Sequence, residues 1–245
     1  MGKSTVAAII IRCLNDLKQT SILAVDGDAN VNLNILLGVQ IQESVGIIRE
    51  EMKEKIGNLP GGMTKQQFLE YKIHQSLVET EMFDLITMGR PEGPGCYCYA
   101  NNLLRDILRT LSDNYAYVII DNEAGMEHLS RRTTQEIDTL LIVSDPSVRG
   151  IQTAGRISRL LAELETRVKH EYLIINRAHQ PLSSPVLEQV SQEELELIMT
   201  LPEDAEIRIL DENGKPAYFM SDTTALYKSI HELCLNIIPD LEVEQ

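Results

Sequence analysis

The chain opens MGKSTVAAIIIRCLNDLK (1–18), and the reading of its first five residues decides the fold. Gly2, Lys3 and Ser4 match the last three positions of the phosphate-binding pattern G-x-x-x-x-G-K-[ST], and Thr5 follows them into an apolar helical run. In that pattern, backbone N–H groups and a helix N-terminus hold the phosphates. The lysine neutralises charge on the β and γ phosphates, and the hydroxyl binds Mg²⁺. A Gly-Lys-Ser triplet alone is a weak signal. Its weight depends on what the rest of the chain places with it.

Five short apolar runs follow at wide intervals: SILAVD (21–26), FDLITMG (83–89), YAYVIID (115–121), TLLIVSD (139–145) and YLIINR (172–177). Each is nearly continuous rather than alternating, as expected of parallel strands buried on both faces. Helical spacing lies between them, in NNLLRDILRTL (101–111) and IQTAGRISRLLAELE (151–165). Strands alternating with helices predict an α/β, doubly wound, mostly parallel sheet. Residues 41–78 read instead as a helical, charged, strand-free insertion in a single domain spanning 1–245.

Two strands end in carboxylates. VDGDANVNL (25–33) carries Asp26 and Asp28, and IIDNEAG (119–125) carries Asp121 and then Gly125. Strand-end carboxylates of a parallel sheet face the crevice at its C-terminal edge, where ligands bind. Asp121 there can hold Mg²⁺, directly or through water, and Gly125 can offer a backbone N–H to a γ-phosphate. A single aspartate after a strand is commonly a helix N-cap. Three phosphate-site signals in this order argue against that reading for all of them.

Composition narrows the function classes. The net charge of −15 argues against nucleic acid and against an anionic membrane surface as the main partner. The last expected helix, 223–238, runs into an acidic PDLEVEQ, where a membrane-seeking tail would be basic. No apolar run reaches the roughly 18–20 residues of a transmembrane helix, and the first residues do not read as a secretory signal. Four cysteines in 245 residues do not make a disulfide scaffold, so the expected compartment is a reducing cytoplasm.

Two of those cysteines stand one residue apart in PEGPGCYCYANN (91–102). Cys96 and Cys98 give one chain only two soft ligands, whereas tetrahedral zinc or square-planar nickel usually takes four. A two-fold homodimer with this loop on its axis would supply the pair twice and complete an S₄ site. Cys13 and Cys234 fall on apolar helix faces and read as core. His128, in MEHLSRR, reads as an ordinary residue of a loop that follows Asp121.

The order GKST, DGDANVNL, VIIDNEAG and LIINR resembles the deviant-Walker P-loop ATPases of the MinD/ParA and nitrogenase iron-protein group. The resemblance implies ATP hydrolysis, Mg²⁺ and a dimer closing over its nucleotides. It implies that Asp28 orients the attacking water and that Asp26 lies near Mg²⁺. It also implies that Asn176 reads the adenine edge, that Arg177 stacks there, and that LPED (201–204), with Pro202, lines the base pocket. In that group a strand and a lysine-bearing glycine loop precede the GK[ST], so about ten upstream residues are expected beyond Met1. A chain beginning at Met1 is expected to bind ATP poorly and to fold marginally. GRPEGPGCYCYANNLLR (89–105) with DNEAGMEHLSRRT (121–133) resembles one branch in particular, the nickel-insertion accessory ATPases of carbon monoxide dehydrogenase. A related accessory protein serves acetyl-CoA synthase. The expected function is therefore an ATP-driven metallochaperone carrying Ni²⁺ or Zn²⁺ to one of these clients. The alternatives are a positioning or partition ATPase and an iron–sulfur electron donor.

Overall fold

The computed structural model describes residues 2–48, 62–89, 107–108, 110–123, 136–163 and 167–238. The chain divides into two compact units, one of Met1–Leu17 with Thr134–Gln245 and one of Lys18–Thr133.

In the Lys18–Thr133 unit, β1 (Ile22–Asp26) is buried along its whole length. It pairs in parallel with β3 (Asp84–Thr87) on one side and β4 (Tyr117–Asp121) on the other. The continuous run ILAVD suits this place, because a strand flanked by two partners and covered on both faces has no position for a solvent-facing side chain. One face carries Leu23, Val25, Ile86 and Met88 into a core with Ile73, Ile107, Leu108 and Leu111. Burying each such side chain contributes roughly 1.5–3 kcal/mol. β2 (Val78–Glu79) adds an antiparallel outer strand beside β3. This corrects the expectation that residues up to 78 are strand-free. The segment is helical over α3 (Lys65–Ser76), which starts with a Thr64–Gln67 capping box. The short helix α2 (Leu33–Leu37) ends at Gly38 in the left-handed region.

In the other unit, β5 (Glu136–Ser144), β6 (Arg167–Ile175) and β7 (Leu197–Thr200) form a parallel sheet in that order. Helix α4 (Val148–Glu163) turns Ile151, Ala154, Gly155 and Leu161 inward at helical spacing. Its core includes Val186 and Val190 of α5 (Ser184–Gln192). Helix α1 (Lys3–Asp16) buries Val6 through Ile11 as well as Cys13 and Leu14. A helix apolar on nearly every side belongs inside a core, and α1 packs against α7 (Ala225–Ile237). Cys13 and Cys234 are both fully buried, as a core role requires. Arg12 fixes the far end of α1. Its guanidinium donates to the carbonyls of Tyr218, at 2.7 Å, and Met220, and it lies 5.4 Å from the centre of the Tyr227 ring. The Tyr227 hydroxyl donates to Asp16 at 2.6 Å. The helix that begins with Lys3 is thus held at its C-terminal end by bonds a simple apolar contact could not direct. Among the described residues, no helix is long and apolar enough to cross a membrane.

Candidate nucleotide site

The candidate residues fall in both units. In the unit holding α1, Gly2 is the helix N-cap with φ 82° and ψ 24°, and its carbonyl accepts the Val6 N–H at 3.0 Å. Glycine takes this left-handed conformation at little cost, where other residues pay about 1–2 kcal/mol. Having no side chain, Gly2 leaves the first-turn N–H groups for an external anion. Lys3, Ser4 and Thr5 occupy that turn, and no acidic residue stands in it. The positive end of the helix dipole, an adjacent lysine and the hydroxyls of Ser4 and Thr5 make a phosphate-binding end.

A Cβ built on Gly2 would lie 2.5 Å from Asn176 Nδ2, so the absence of a side chain also lets Asn176 approach. Asn176 is buried directly after β6. Its N–H donates to the Ser144 carbonyl at 2.8 Å, and its Oδ1 accepts the Arg177 N–H at 3.0 Å. That second bond fixes which way the amide points. Arg177 has φ 54°, an uncommon conformation for a residue with a side chain. Leu201 donates to the Ile175 carbonyl and accepts from Ala178, which brings Pro202 beside the end of β6. Residues 174 positions apart, read as holding phosphate and base, are thus neighbours here. Asp204 serves a structural end: it caps α6 (Ala205–Glu212) by accepting the Glu206 N–H at 2.8 Å.

In the other unit, Asp26 is the last residue of β1 and fully buried. Its Oδ1 accepts the Asp28 N–H at 3.0 Å, and its Oδ2 accepts the N–H groups of Asn32 and Leu33, each at 2.9 Å. Burial pushes the Asp26 carboxyl above the ordinary carboxylate range. The three backbone donors oppose that, and the nearby Asp28 charge adds to it. Asp26 therefore clasps the turn 27–33 and supplies α2 with the cap that its own N-cap, Asn32, does not. Within the turn, Asp28 accepts the Asn30 N–H at 2.8 Å, and Val31 is held at φ 49°. Asp26→Ala should strand three donors and cost about 2 kcal/mol, which urea unfolding of the variant beside the parent would measure.

Asp121, the last residue of β4, is also buried. Its carbonyl accepts the Gly27 N–H at 2.8 Å, and a Cβ on Gly27 would come within 3.1 Å of that oxygen. In the sheet register Thr87 and Asp121 are both partners of Asp26, so the three lie in one row at the strand ends. Register partners in a parallel ladder point to the same face. This row faces away from the core on Val25 and Ile86. Cys96, Cys98, Gly125 and His128 lie outside the described residues. Among the described residues, no group of three or more His, Cys, Asp or Glu side chains is placed to hold a metal ion.

The sequence pattern of a family described as an AAA domain matches residues 1–174. The chain belongs to that family. Within it, the chain is a MinD/ParA-like P-loop ATPase related to CooC. It is 42% identical over 240 residues to an uncharacterized ATP-binding protein of Methanocaldococcus jannaschii, covering 97% of this chain and 94% of that one. It is 28% identical over 233 residues to the carbon monoxide dehydrogenase accessory protein CooC of Rhodospirillum rubrum, covering 90% and 87%. Among solved structures, a ParA family ATPase from Chlorobium tepidum superposes with a TM-score of 0.70 at 19% identity, covering 96% of this chain and 92% of that one. The MinD cell division protein of Aquifex aeolicus does so with 0.66 at 21%, covering 95% and 89%. The last two establish the fold.

The residues present fit the Mg²⁺ that such an ATPase uses. Asp26 and Asp121, two buried carboxyl groups on neighbouring strands, are hard oxygen donors of the kind Mg²⁺ takes. Sequence reasoning passed over Thr87 and Gly27. Thr87 was visible only as the one hydroxyl in FDLITMG, and Gly27 as the small residue between two aspartates.

Proposed function

We propose that this ATPase is a metallochaperone that uses ATP to deliver nickel to carbon monoxide dehydrogenase or to the related acetyl-CoA synthase, working as a cytoplasmic homodimer over the single domain 1–245. The observation that carries this reading is the Cys96-x-Cys98 pair in a chain similar to CooC over nine-tenths of its length. A positioning ATPase has no need of a Cys-x-Cys pair, and the −15 charge is ill suited to an anionic membrane or DNA.

In this proposal the first turn of α1 binds the phosphates through Gly2, Lys3, Ser4 and Thr5. Lys3 lowers the repulsion among the phosphate oxygens. Ser4 and Asp121, with Asp26 nearby, would hold Mg²⁺, which neutralises charge developing on the transferred phosphoryl group. Gly125 contributes a backbone donor toward the terminal phosphate. Asp28 orients the attacking water. Asn176, Arg177 and Pro202 hold the base. Nickel, or zinc in its place, is cargo on four thiolates, the Cys96 and Cys98 pair from each copy. Closing and reopening the dimer changes the spacing of those thiolates. Delivery is driven only if the two nucleotide states bind the metal with different affinity.

The test is activation of nickel-free client enzyme. Carbon monoxide dehydrogenase and acetyl-CoA synthase, each purified without nickel, are incubated with the protein, Ni²⁺ and ATP under anaerobic conditions. One client should regain activity with ATP and stay inactive when ADP replaces it. Equal activation of both clients by free Ni²⁺ alone would remove the metallochaperone role.

A further inference from the structure

Thr87 is the third residue of the buried row, beside Asp26 and Asp121. Its side chain is 1% exposed, and among the described residues its Oγ1 has no hydrogen-bond partner. A buried hydroxyl without a partner is destabilising, and a valine of the same shape would avoid that cost. Thr87 stands directly beside Asp26 in the parallel β1–β3 register, one strand spacing of roughly 4.8 Å away and on the same face. The Met88 N–H donates to the Asp26 carbonyl at 2.8 Å, which holds the two strand ends together just beyond that pair.

Asp26 offers one place for this hydroxyl. Its Oδ2 accepts two backbone donors, whereas Oδ1 accepts one, from Asp28. An ionised carboxylate has about four acceptor sites, two on each oxygen. The donor on Oδ1 belongs to the very residue that must move if its side chain is to orient water. When Asp28 leaves, a buried carboxylate loses a bond, which opposes the movement.

We propose that Thr87 is a positioning residue whose hydroxyl replaces the Asp28 N–H as donor to Asp26 Oδ1 when Mg-ATP draws the 27–33 turn into its hydrolytic arrangement. The exchange keeps Asp26 hydrogen-bonded in both arrangements and lowers the cost of releasing Asp28. The hydroxyl without a partner is then the receiving half of a two-state contact, and the stability it costs in the nucleotide-free protein is recovered in the Mg-ATP state. The proposal rests on the assignment of Asp28 to water orientation.

The experiment compares the parent with Thr87→Val, Thr87→Ser and Asp28→Asn, full chain in each case. In the nucleotide-free protein, Thr87→Val should melt at the parental temperature or above it, because the hydroxyl makes no bond there. With Mg-ATP, its kcat/KM should fall about tenfold, the loss expected for one hydrogen bond to a charged group. The rise in melting temperature on adding Mg-ATP should shrink as well, while the shift on adding ADP alone stays parental. Thr87→Ser keeps the hydroxyl and should match the parent in kcat/KM and in the Mg-ATP melting shift, although loss of its buried methyl lowers the nucleotide-free melting temperature. A parental kcat/KM and Mg-ATP shift in Thr87→Val, a lowered nucleotide-free melting temperature in that variant, or no restoration by serine would overturn the exchange. Asp28→Asn separates the two ideas. If it is slow while Thr87→Val is normal, the exchange alone fails. If Asp28→Asn hydrolyses at the parental rate, the role of Asp28 fails and the exchange fails with it.

Discussion

Asp28→Asn should slow ATP hydrolysis by about a hundredfold or more while leaving ATP affinity near the parental value. The substitution keeps size and removes only the carboxylate that would orient the attacking water. Loss of one such group in a preorganised site typically costs about 10²–10³ in rate. Among the described residues, the Asp28 carboxylate accepts only within its own turn, from the Asn30 N–H. An asparagine Oδ1 can keep that bond, so folding and binding should survive. The variant should accumulate as an ATP-loaded dimer. Lys3→Ala should do the reverse. It removes a positive charge from the first turn of α1, the end that also carries the uncapped N–H groups. A charge-assisted bond to phosphate amounts to about 1.5–3 kcal/mol, or roughly a tenfold to hundredfold loss of nucleotide affinity. Calorimetric titration with ATP and a steady-state phosphate assay on both variants separate the two roles. Equal losses of affinity in both would remove the distinction.

The centre of each sheet could be read from sequence because burial on both faces leaves a direct trace. β1, β3, β4, β5 and β6 all fall inside the continuous apolar runs or overlap them. β2 left no trace, being two residues long and held only by antiparallel pairing to β3. β7 is four half-buried residues, LIMT, behind an acidic ELE stretch, and it becomes a strand through its pairing with β6. The phosphate end was legible because GKS is a local motif whose chemistry belongs to one helix turn. The proximity of Gly2 to Asn176 was not, since nothing at residue 2 refers to residue 176. Asp26 was read as a site carboxylate, and the structure adds its second task of closing the 27–33 turn. That task depends on three backbone N–H groups converging on one side chain, which no spacing rule records. Thr87 was invisible for a related reason: one hydroxyl in an apolar strand has no period, and its meaning appears only from the residue beside it in the ladder.

The Cys96 and Cys98 pair is what separates nickel delivery from ATP hydrolysis alone. Cys96→Ser or Cys98→Ser should each abolish tight nickel or zinc binding while leaving nucleotide binding intact, because neither belongs to the phosphate-binding turn. A hydroxyl is neither ionised at neutral pH nor soft, so it is a poor replacement for thiolate at these metals. With four ligands shared between two copies, loss of one type removes half the set and leaves no tetrahedral or square-planar site. Magnesium and the carboxylate row are hard-oxygen chemistry and should not respond. The decisive measurement is metal content per protein chain, taken on the anaerobic protein with ATP, with ADP and without nucleotide, for the parent and the Cys96→Ser, Cys98→Ser double variant. The parent should carry one nickel or zinc per two chains, with an affinity that differs between the ATP and ADP states, and the double variant should hold no tightly bound metal. One tight metal per dimer retained by the double variant, or identical metal affinity in every nucleotide state, would contradict the metallochaperone role.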